Sequence, residues 1–389
     1  MRKILYSHDS YKCTLQCSEN TEFKTCEKWN RWKIQGNPSI ARFSLRLTGK
    51  EWTVFWPNRE GERFTASAVG PALEKYNCPN GLTISYPSTA SCRTLIFTDT
   101  NGEGVIVCAP PDNQGRVTDF LITEHGKDQI EFEVSTAVGD WFSLYFKTWK
   151  KMMEAFTALQ KTEDWQLLPK KSNEIRWQVQ VGLIGPDGKT EVHKNNGFDV
   201  LSEISELMLN KLGENNILHV FGYSSGHDMD YPDYTPSSQL GGSSHLEKVV
   251  KKIHQNSQKA VFYMNGRIAQ KENVEKDGLH DSILTDDNGL PFTEIYHTRN
   301  FYVMNPSSEE WQARLFSEAI KLKELGADGI QLDQLGGRAA PVPAGEIWGE
   351  GYIKLINNLH KEELSVWIQG LSDIYPADWF ELTNRNTNI

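Results

Sequence analysis

The chain has 389 residues, a net charge of −10, and 12 Trp, 13 Tyr and 17 Phe. That length suggests two domains or one large one. The acidity argues against nucleic acid or an anionic membrane as partner and suits a neutral or cationic ligand, while no run of 18 apolar residues offers a transmembrane helix.

The N-terminus, MRKILYSHDSYKC, has a basic start but no apolar core, so no secretory signal is expected and a cytoplasmic location is. His8, Cys13, Cys17 and Cys26 include no tight CxxC pair. Ordinary buried thiols are expected there rather than zinc, and no metal or cofactor is expected elsewhere. Residues 1–138 read as a β-sandwich. Short apolar or alternating runs recur at Ala41–Leu47, Trp52–Trp56, Leu82–Tyr86, Thr94–Phe97, Gly104–Cys108, Val117–Thr123 and Ile130–Val134, with turn signals between them. Residues 139–174 read as a helical connector. Asp140 is placed to cap a helix running to about Gln160, with Trp141, Leu144, Tyr145, Thr148, Met152 and Phe156 on one stripe.

Residues 175–389 alternate strand and helix. Strands are expected at Trp177–Ile184, Ile217–Tyr223, Ala260–Asn265, Gly329–Leu332 and Val366–Ile368, with a sixth at Trp379–Leu382. Helices are expected near Val200–Leu212, Ser244–Gln255, Ser308–Leu325 and Glu350–Leu359. Polar residues gather at successive strand ends: Tyr223-Ser-Ser-Gly-His-Asp228, Asn265-Gly-Arg267, Asp333-Gln334 and Gln369. That favours a TIM-type (β/α) barrel over an open sheet. A barrel needs eight strands, so it is incomplete, holds strands the pattern hides, or is another α/β arrangement. An incomplete barrel would leave open strand edges, which makes self-association an expectation.

Gly329-Ile-Gln-Leu-Asp333 is a buried strand that delivers a carboxylate to its C-terminal end, where Asp333 can act as nucleophile or stabilise a developing cation. The loop Gly226-His-Asp-Met-Asp-Tyr-Pro-Asp-Tyr234 offers His227, Asp228, Asp230, Tyr231 and Asp233. Carboxylates accept sugar hydroxyls and Tyr or His can stack or donate; a solvated acidic loop is the plainer alternative. Asn265 and Arg267 could bind hydroxyls or, for Arg267, pair with that acidic loop. Gln334 adjoins Asp333. Trp348 could platform a sugar ring or begin a helix's apolar face.

Gly226–Tyr234 with Leu240-Gly-Gly242, Tyr263-Met-Asn-Gly-Arg267, Val303-Met-Asn-Pro306 with Trp311, and Asp328-Gly-Ile-Gln-Leu-Asp-Gln-Leu-Gly336 resemble a group of bacterial glycoside-hydrolase-like proteins. Those proteins carry a β-sandwich before a (β/α)8 barrel and are distantly related to endo-α-N-acetylgalactosaminidases and α-galactosidases. Ser85-Tyr-Pro-Ser88 followed by Leu95-Ile-Phe-Thr98 is similar to the sandwich of the same group. The resemblance implies a retaining mechanism on an α-linked carbohydrate, with Asp333 as nucleophile. In the endo-acting relatives the acid is a Glu on the next strand; the matching position here is Gln369, in Trp367-Ile-Gln-Gly370. Gln cannot donate a proton to a leaving group. Either Gln369 is an engineered change from Glu, or the protein is an inactive glycan-binding or interaction relative, or the acid lies elsewhere. Asp373 is the nearest alternative, with Glu346, Glu350 and Asp228 also available.

Overall fold

The structure is a computed structural model. It describes residues 2–8, 11–16, 21–25, 30–34, 40–47, 52–56, 62–65, 82–86, 94–99, 102–108, 118–124, 129–135, 139–154, 177–190, 197–286, 288–335, 348–369 and 375–381. The chain divides into two compact units, the first built on Met1–Leu167 and the second on Leu168–Leu335 with later segments.

The first unit holds two antiparallel sheets. One runs β1 (Arg2–His8), β2 (Tyr11–Gln16), β5 (Ile40–Leu47), β12 (Gln129–Ser135), β11 (Thr118–Glu124) and β8 (Leu82–Tyr86) from edge to edge. The other runs β3 (Thr21–Thr25), β4 (Asn30–Ile34), β13 (Gly139–Phe146), β10 (Gly104–Cys108), β9 (Thr94–Asp99), β6 (Trp52–Trp56) and β7 (Glu62–Thr65). All seven predicted strands form. The structure adds β1 to β4 and β7, whose Lys, Thr and Cys content hides the period-two signal. β10 is buried along its whole length, between β9 and β13. Its Cys108 is a buried thiol whose Sγ accepts a hydrogen bond from Thr94 Oγ1 at 3.6 Å. The side chains of His8, Cys13, Cys17 and Cys26 lie outside the described residues.

The predicted connector helix is corrected at its start. Gly139–Phe146 is β13, a strand paired on both sides, with β4 and β10. The run Trp-Phe-Ser-Leu-Tyr-Phe is nearly continuous in large apolar residues, which suits a central strand, and its helical spacing is a by-product of that density. Helical backbone begins at 149 and is described to 154. Thr148 caps it in place of Asp140: Thr148 Oγ1 accepts from the Lys151 N–H at 3.3 Å.

The second unit is built on a parallel sheet. Its described strands are β14 (Gln178–Gly182), β15 (Ile217–Phe221), β16 (Lys259–Asn265), β20 (Gly329–Asp333), β21 (Ser365–Gln369) and β22 (Trp379–Glu381), in that order. Between β16 and β20 the chain makes a small antiparallel sheet ordered β17 (Ile268–Gln270), β19 (Arg299–Val303) and β18 (Thr293–Tyr296), which the sequence reading missed. The described α-helices are α1 (Asp199–Leu212), α2 (Gly242–Gln255), α3 (Lys271–Asp277), α4 (Glu309–Glu324) and α5 (Trp348–Lys361). Each parallel strand neighbours the next parallel strand in sequence. A doubly wound sheet reverses its order at a switch point, and this one does not. No described helix is long and apolar enough to cross a membrane.

Local chemistry explains how Asp333 is delivered. Ser308 Oγ accepts from the Trp311 N–H and starts α4, with Glu309 and Glu310 in the first turn and Lys321 and Lys323 in the last, which suits the helix dipole. Trp311, Leu315, Ala319 and Leu322 form its buried stripe. Asp328 then ties β20 to its surroundings: its Oδ2 accepts from the Ala260 N–H at 2.8 Å and lies 2.9 Å from His254 Nε2. Gly329 is required by close approach, since a Cβ there would sit 2.6 Å from the Ser365 carbonyl oxygen on β21.

Register decides what the sheet presents. Tyr263 pairs with Gln331, Asn265 with Asp333, and Gln331 with Trp367. Side chains alternate along a strand. One face therefore carries Tyr263, Asn265, Gln331, Asp333, Trp367 and Gln369. The opposite face carries Ile330, Leu332, Val366 and Ile368, and α2 packs on β16 and α5 on β21.

Candidate active site

Asp333 ends β20 with only 8% of its surface exposed. Both carboxylate oxygens have donors. Oδ1 accepts from the Gln334 N–H at 2.9 Å, and Oδ2 from the Tyr263 hydroxyl at 2.8 Å. The first bond needs the chain to turn back on itself, and Gln334 adopts φ +66° to do so, a left-handed conformation that non-glycine residues hold only where the surroundings enforce it. Here the enforcement is visible. Gln334 Nε2 donates to the Tyr296 hydroxyl at 3.0 Å, Tyr296 donates to Glu294 Oε2 at 2.7 Å, and Arg267 Nε donates to Glu294 Oε1 at 2.9 Å.

The loop after β15 is fixed by its tyrosines. Tyr223, Tyr231 and Tyr234 are buried. Tyr231 stacks on Tyr234 with ring centres 5.7 Å apart. The Tyr223 hydroxyl donates to the Tyr263 carbonyl at 2.9 Å, and the Tyr234 hydroxyl accepts from the Asn265 N–H at 2.6 Å. Burial pushes the phenols of Tyr223, Tyr231, Tyr234 and Tyr263 well above their ordinary value. They remain neutral donors at any working pH. At the start of the loop, Gly222 has φ +65°, and a Cβ there would meet the Ile184 carbonyl oxygen at 2.3 Å.

Asp228 is held in this loop at φ +55°, a conformation Asp tolerates better than most residues. Its N–H donates to the Tyr231 hydroxyl at 2.8 Å. Two imidazoles flank its carboxylate: His227 Nε2 at 3.8 Å and His297 Nε2 at 3.6 Å from Oδ2. The His227 ring also packs edge-on to Tyr263, with centres 5.1 Å apart. Asp228 and Asp333 are thus bridged by Tyr231 and Tyr263, whose rings lie 5.9 Å apart.

Of the residues singled out from sequence, the structure gathers His227, Asp228, Tyr231, Asn265, Arg267, Asp333 and Gln334 at the C-terminal ends of β15, β16 and β20. Asn265 is already engaged by the protein: its Oδ1 accepts the Arg267 and Ile268 N–H groups at 2.9 and 3.1 Å, and its Nδ2 donates to the Tyr263 hydroxyl at 3.3 Å. Arg267 pairs with Glu294 on β18. Asp230 is tied through its backbone to Gln270 and Asn273. Asp233 lines a cavity of about 500 Å³ together with Gly188, Ser225, Met229, Thr235 and Pro236. Gln369 ends β21, one position beyond the Leu332–Ile368 pair, and is in register with Glu381 on β22. Trp348 opens α5, with its side chain outside the described residues, as is the whole of Asp373.

Tyr263, Glu294, Tyr296 and His297 escaped the sequence reading. Tyr263 could have been found by stepping back two residues from Asn265 on the same face. The other three sit on the β18–β19 hairpin, whose placement only the fold reveals. Among the described residues, no three His, Cys, Asp or Glu side chains stand close enough to hold a metal ion.

Known structures share this fold at low sequence identity. An alpha-N-acetylgalactosaminidase, NagBb from Bifidobacterium bifidum, superimposes with TM-score 0.67 at 9% identity, over 97% of this chain and 69% of that one. TtGalA, an alpha-galactosidase from Thermus thermophilus, gives TM-score 0.64 at 14% identity, over 98% of this chain and 78% of that one. A GH31 family sulfoquinovosidase from E. rectale gives 0.60 at 12% identity, over 97% and 59%. No curated protein matches the sequence. Residues 130–365, more than half of the chain, match the domain of unknown function DUF6259, and the chain belongs to that family.

Proposed function

We propose that this protein is a retaining glycoside hydrolase acting on an α-linked glycan, with Asp333 as nucleophile. The observation that carries this reading is the buried Asp333 carboxylate, oriented through both oxygens at the C-terminal end of a parallel strand. In this reading the six parallel strands belong to a (β/α) barrel, preceded by a sandwich made of the two antiparallel sheets. The likeness to alpha-N-acetylgalactosaminidase and alpha-galactosidase folds supports carbohydrate as the ligand class and the α linkage.

The chemistry would run in two displacements. Asp333 attacks the anomeric carbon as the bond to the leaving oxygen breaks, and a carboxylic acid protonates that oxygen. The resulting carboxylate then takes a proton from water, which attacks the same carbon and releases Asp333. His227 and Asp228 would bind sugar hydroxyls, with the buried Tyr231 holding Asp228 in place. Gln369 occupies the position beside Asp333 where the resemblance puts the acid, and an amide cannot supply that proton. The donor is then a different carboxylic acid, with Asp228, Glu381 and Asp373 to be tested. Gln369 also favours a second reading, a relative that binds glycan without cleaving it.

Hydrolysis of a panel of aryl α- and β-glycosides separates the two. The hydrolase reading expects turnover of an α-glycoside that Asp333→Asn lowers on the order of 10⁴-fold or more. If turnover appears only with Gln369→Glu, and Asp333→Asn abolishes it, the protein is a disabled glycosidase. Turnover unaffected by Asp333→Asn removes Asp333 from the mechanism.

A further inference from the structure

Asn265 and Tyr263 form a wired pair whose geometry dictates where one proton points. The Asn265 amide is fixed in one orientation: Oδ1 accepts two backbone N–H groups, from Arg267 and Ile268, so Nδ2 is the end that faces Tyr263. Asn265 is fully buried and Tyr263 is 5% exposed, so water does not substitute for either contact. The Tyr263 hydroxyl has three hydrogen-bond partners, Asn265 Nδ2, the Tyr231 hydroxyl and Asp333 Oδ2. It receives a hydrogen from Asn265 and directs its own to Asp333 Oδ2, 2.8 Å away, because a carboxylate is a stronger acceptor than a phenol. The hydrogen bond is to a charged acceptor in a buried place, the strong kind.

We infer that Tyr263, oriented by Asn265, is the positioning residue that keeps Asp333 ionised and aimed for attack. This rests on the reading of Asp333 as nucleophile and assigns that site a partner beyond it. A donor bonded to the carboxylate favours its charged form. It also holds one oxygen while the Gln334 N–H holds the other, so the group cannot rotate away from an approaching sugar.

The groups around Asp333 have effects of known sign. Tyr263 and Asn265 face it from β16. Tyr231 and Tyr234 stand behind them on the loop after β15, both neutral through burial. Asp228, with His227 and His297 against it, lies beyond Tyr231. On the other side, Gln334 leads to Tyr296, Glu294 and Arg267, and Gln369 ends β21 one position beyond the Leu332–Ile368 pair. Asp228 and Glu294 are like-charged neighbours of the Asp333 carboxylate and Arg267 is an oppositely charged one. The Tyr263 hydroxyl and the Gln334 N–H donate to its two oxygens.

The test follows the Asp333 carboxyl directly by carbon NMR of protein labelled in its aspartate side chains, with Asp333→Asn to assign the signal. Tyr263→Phe removes one oxygen and should move the Asp333 titration midpoint up by about one pH unit. Placing 3-fluorotyrosine at position 263, the same shape with a more acidic hydroxyl, should move it down. On a cleaved glycoside, Tyr263→Phe should lower kcat about tenfold to a hundredfold, leave KM within roughly threefold, and shift the acid limb of the pH profile upward with the midpoint. A midpoint that stays put in both proteins overturns the inference, and should Tyr263→Phe fail to fold, the fluorotyrosine protein alone decides it. If the midpoint moves but no glycoside is cleaved by any form, the hydrolase reading falls and the Tyr263–Asp333 pairing stands.

Discussion

At the scale of the residue, His219 on β15 shows how the sheet face controls charge. Its ring is buried, with Nδ1 3.1 Å from Gln178 Nε2. Burial depresses its pKa to about 4, with a hydrogen bond to Gln331 opposing it and His227 adding to the depression. The unfolded chain holds the same ring near its ordinary value of 6.5. The folded state therefore keeps the neutral ring, and its full stability from this group is present above pH 6.5. As pH falls from there towards 4, the unfolded chain gains a proton that the folded one refuses, which removes up to about 3 kcal/mol. Urea midpoints at pH 7 and pH 4.5 should diverge less in His219→Gln than in the parent; equal acid losses in both would rule burial of this imidazole out as the cause. Asp333 was readable in sequence because its own strand announces it: four residues of buried strand, then an acid before a Gly-rich loop. Tyr263 shares a strand face with Asn265, two residues on, but its partner Asp333 lies some 70 positions away, and only the register of the two strands shows that they meet.

At the scale of the element, caps and close approaches decide where strands and helices end. Ser308 starts α4, which in turn presents β20. Ser308→Ala should cost about 1 kcal/mol and lower Tm by roughly 2–4 °C, read from a thermal melt; an unchanged melt would mean that Oγ does no capping. Gly329→Ala is the harsher change, because the added carbon meets backbone on β21 rather than a side chain that can yield. A loss of about 1–3 kcal/mol in a urea titration is expected. Elements with a clean period were legible to within a residue or two, as for the strand predicted at Gly329–Leu332 and found at Gly329–Asp333. β13 was misread because a dense apolar run satisfies the helical and the strand template together. The β18–β19 hairpin was missed because its strands are short and their burial alternates with polar and apolar residues alike.

At the scale of the whole second unit, Asp228, Tyr263, Tyr296 and Asp333 come from four separate segments and meet only when β15, β16 and β20 are paired. The parallel order could be anticipated from the alternation of elements, and the polar strand ends from composition. Which of those polar residues face one another required the register. The tyrosines that pin the site have one further consequence, and it is optical. Among the described tyrosines, Tyr223, Tyr231, Tyr234 and Tyr263 of the site, with Tyr352 on α5 and Tyr375 before β22, are buried phenols with raised pKa values. Ionised tyrosine absorbs near 295 nm, so an alkaline titration should release these six late, as one cooperative step coinciding with unfolding rather than as a gradual rise. The site thereby carries its own chromophore, and ultraviolet absorbance reports whether it is assembled without a label or a substrate.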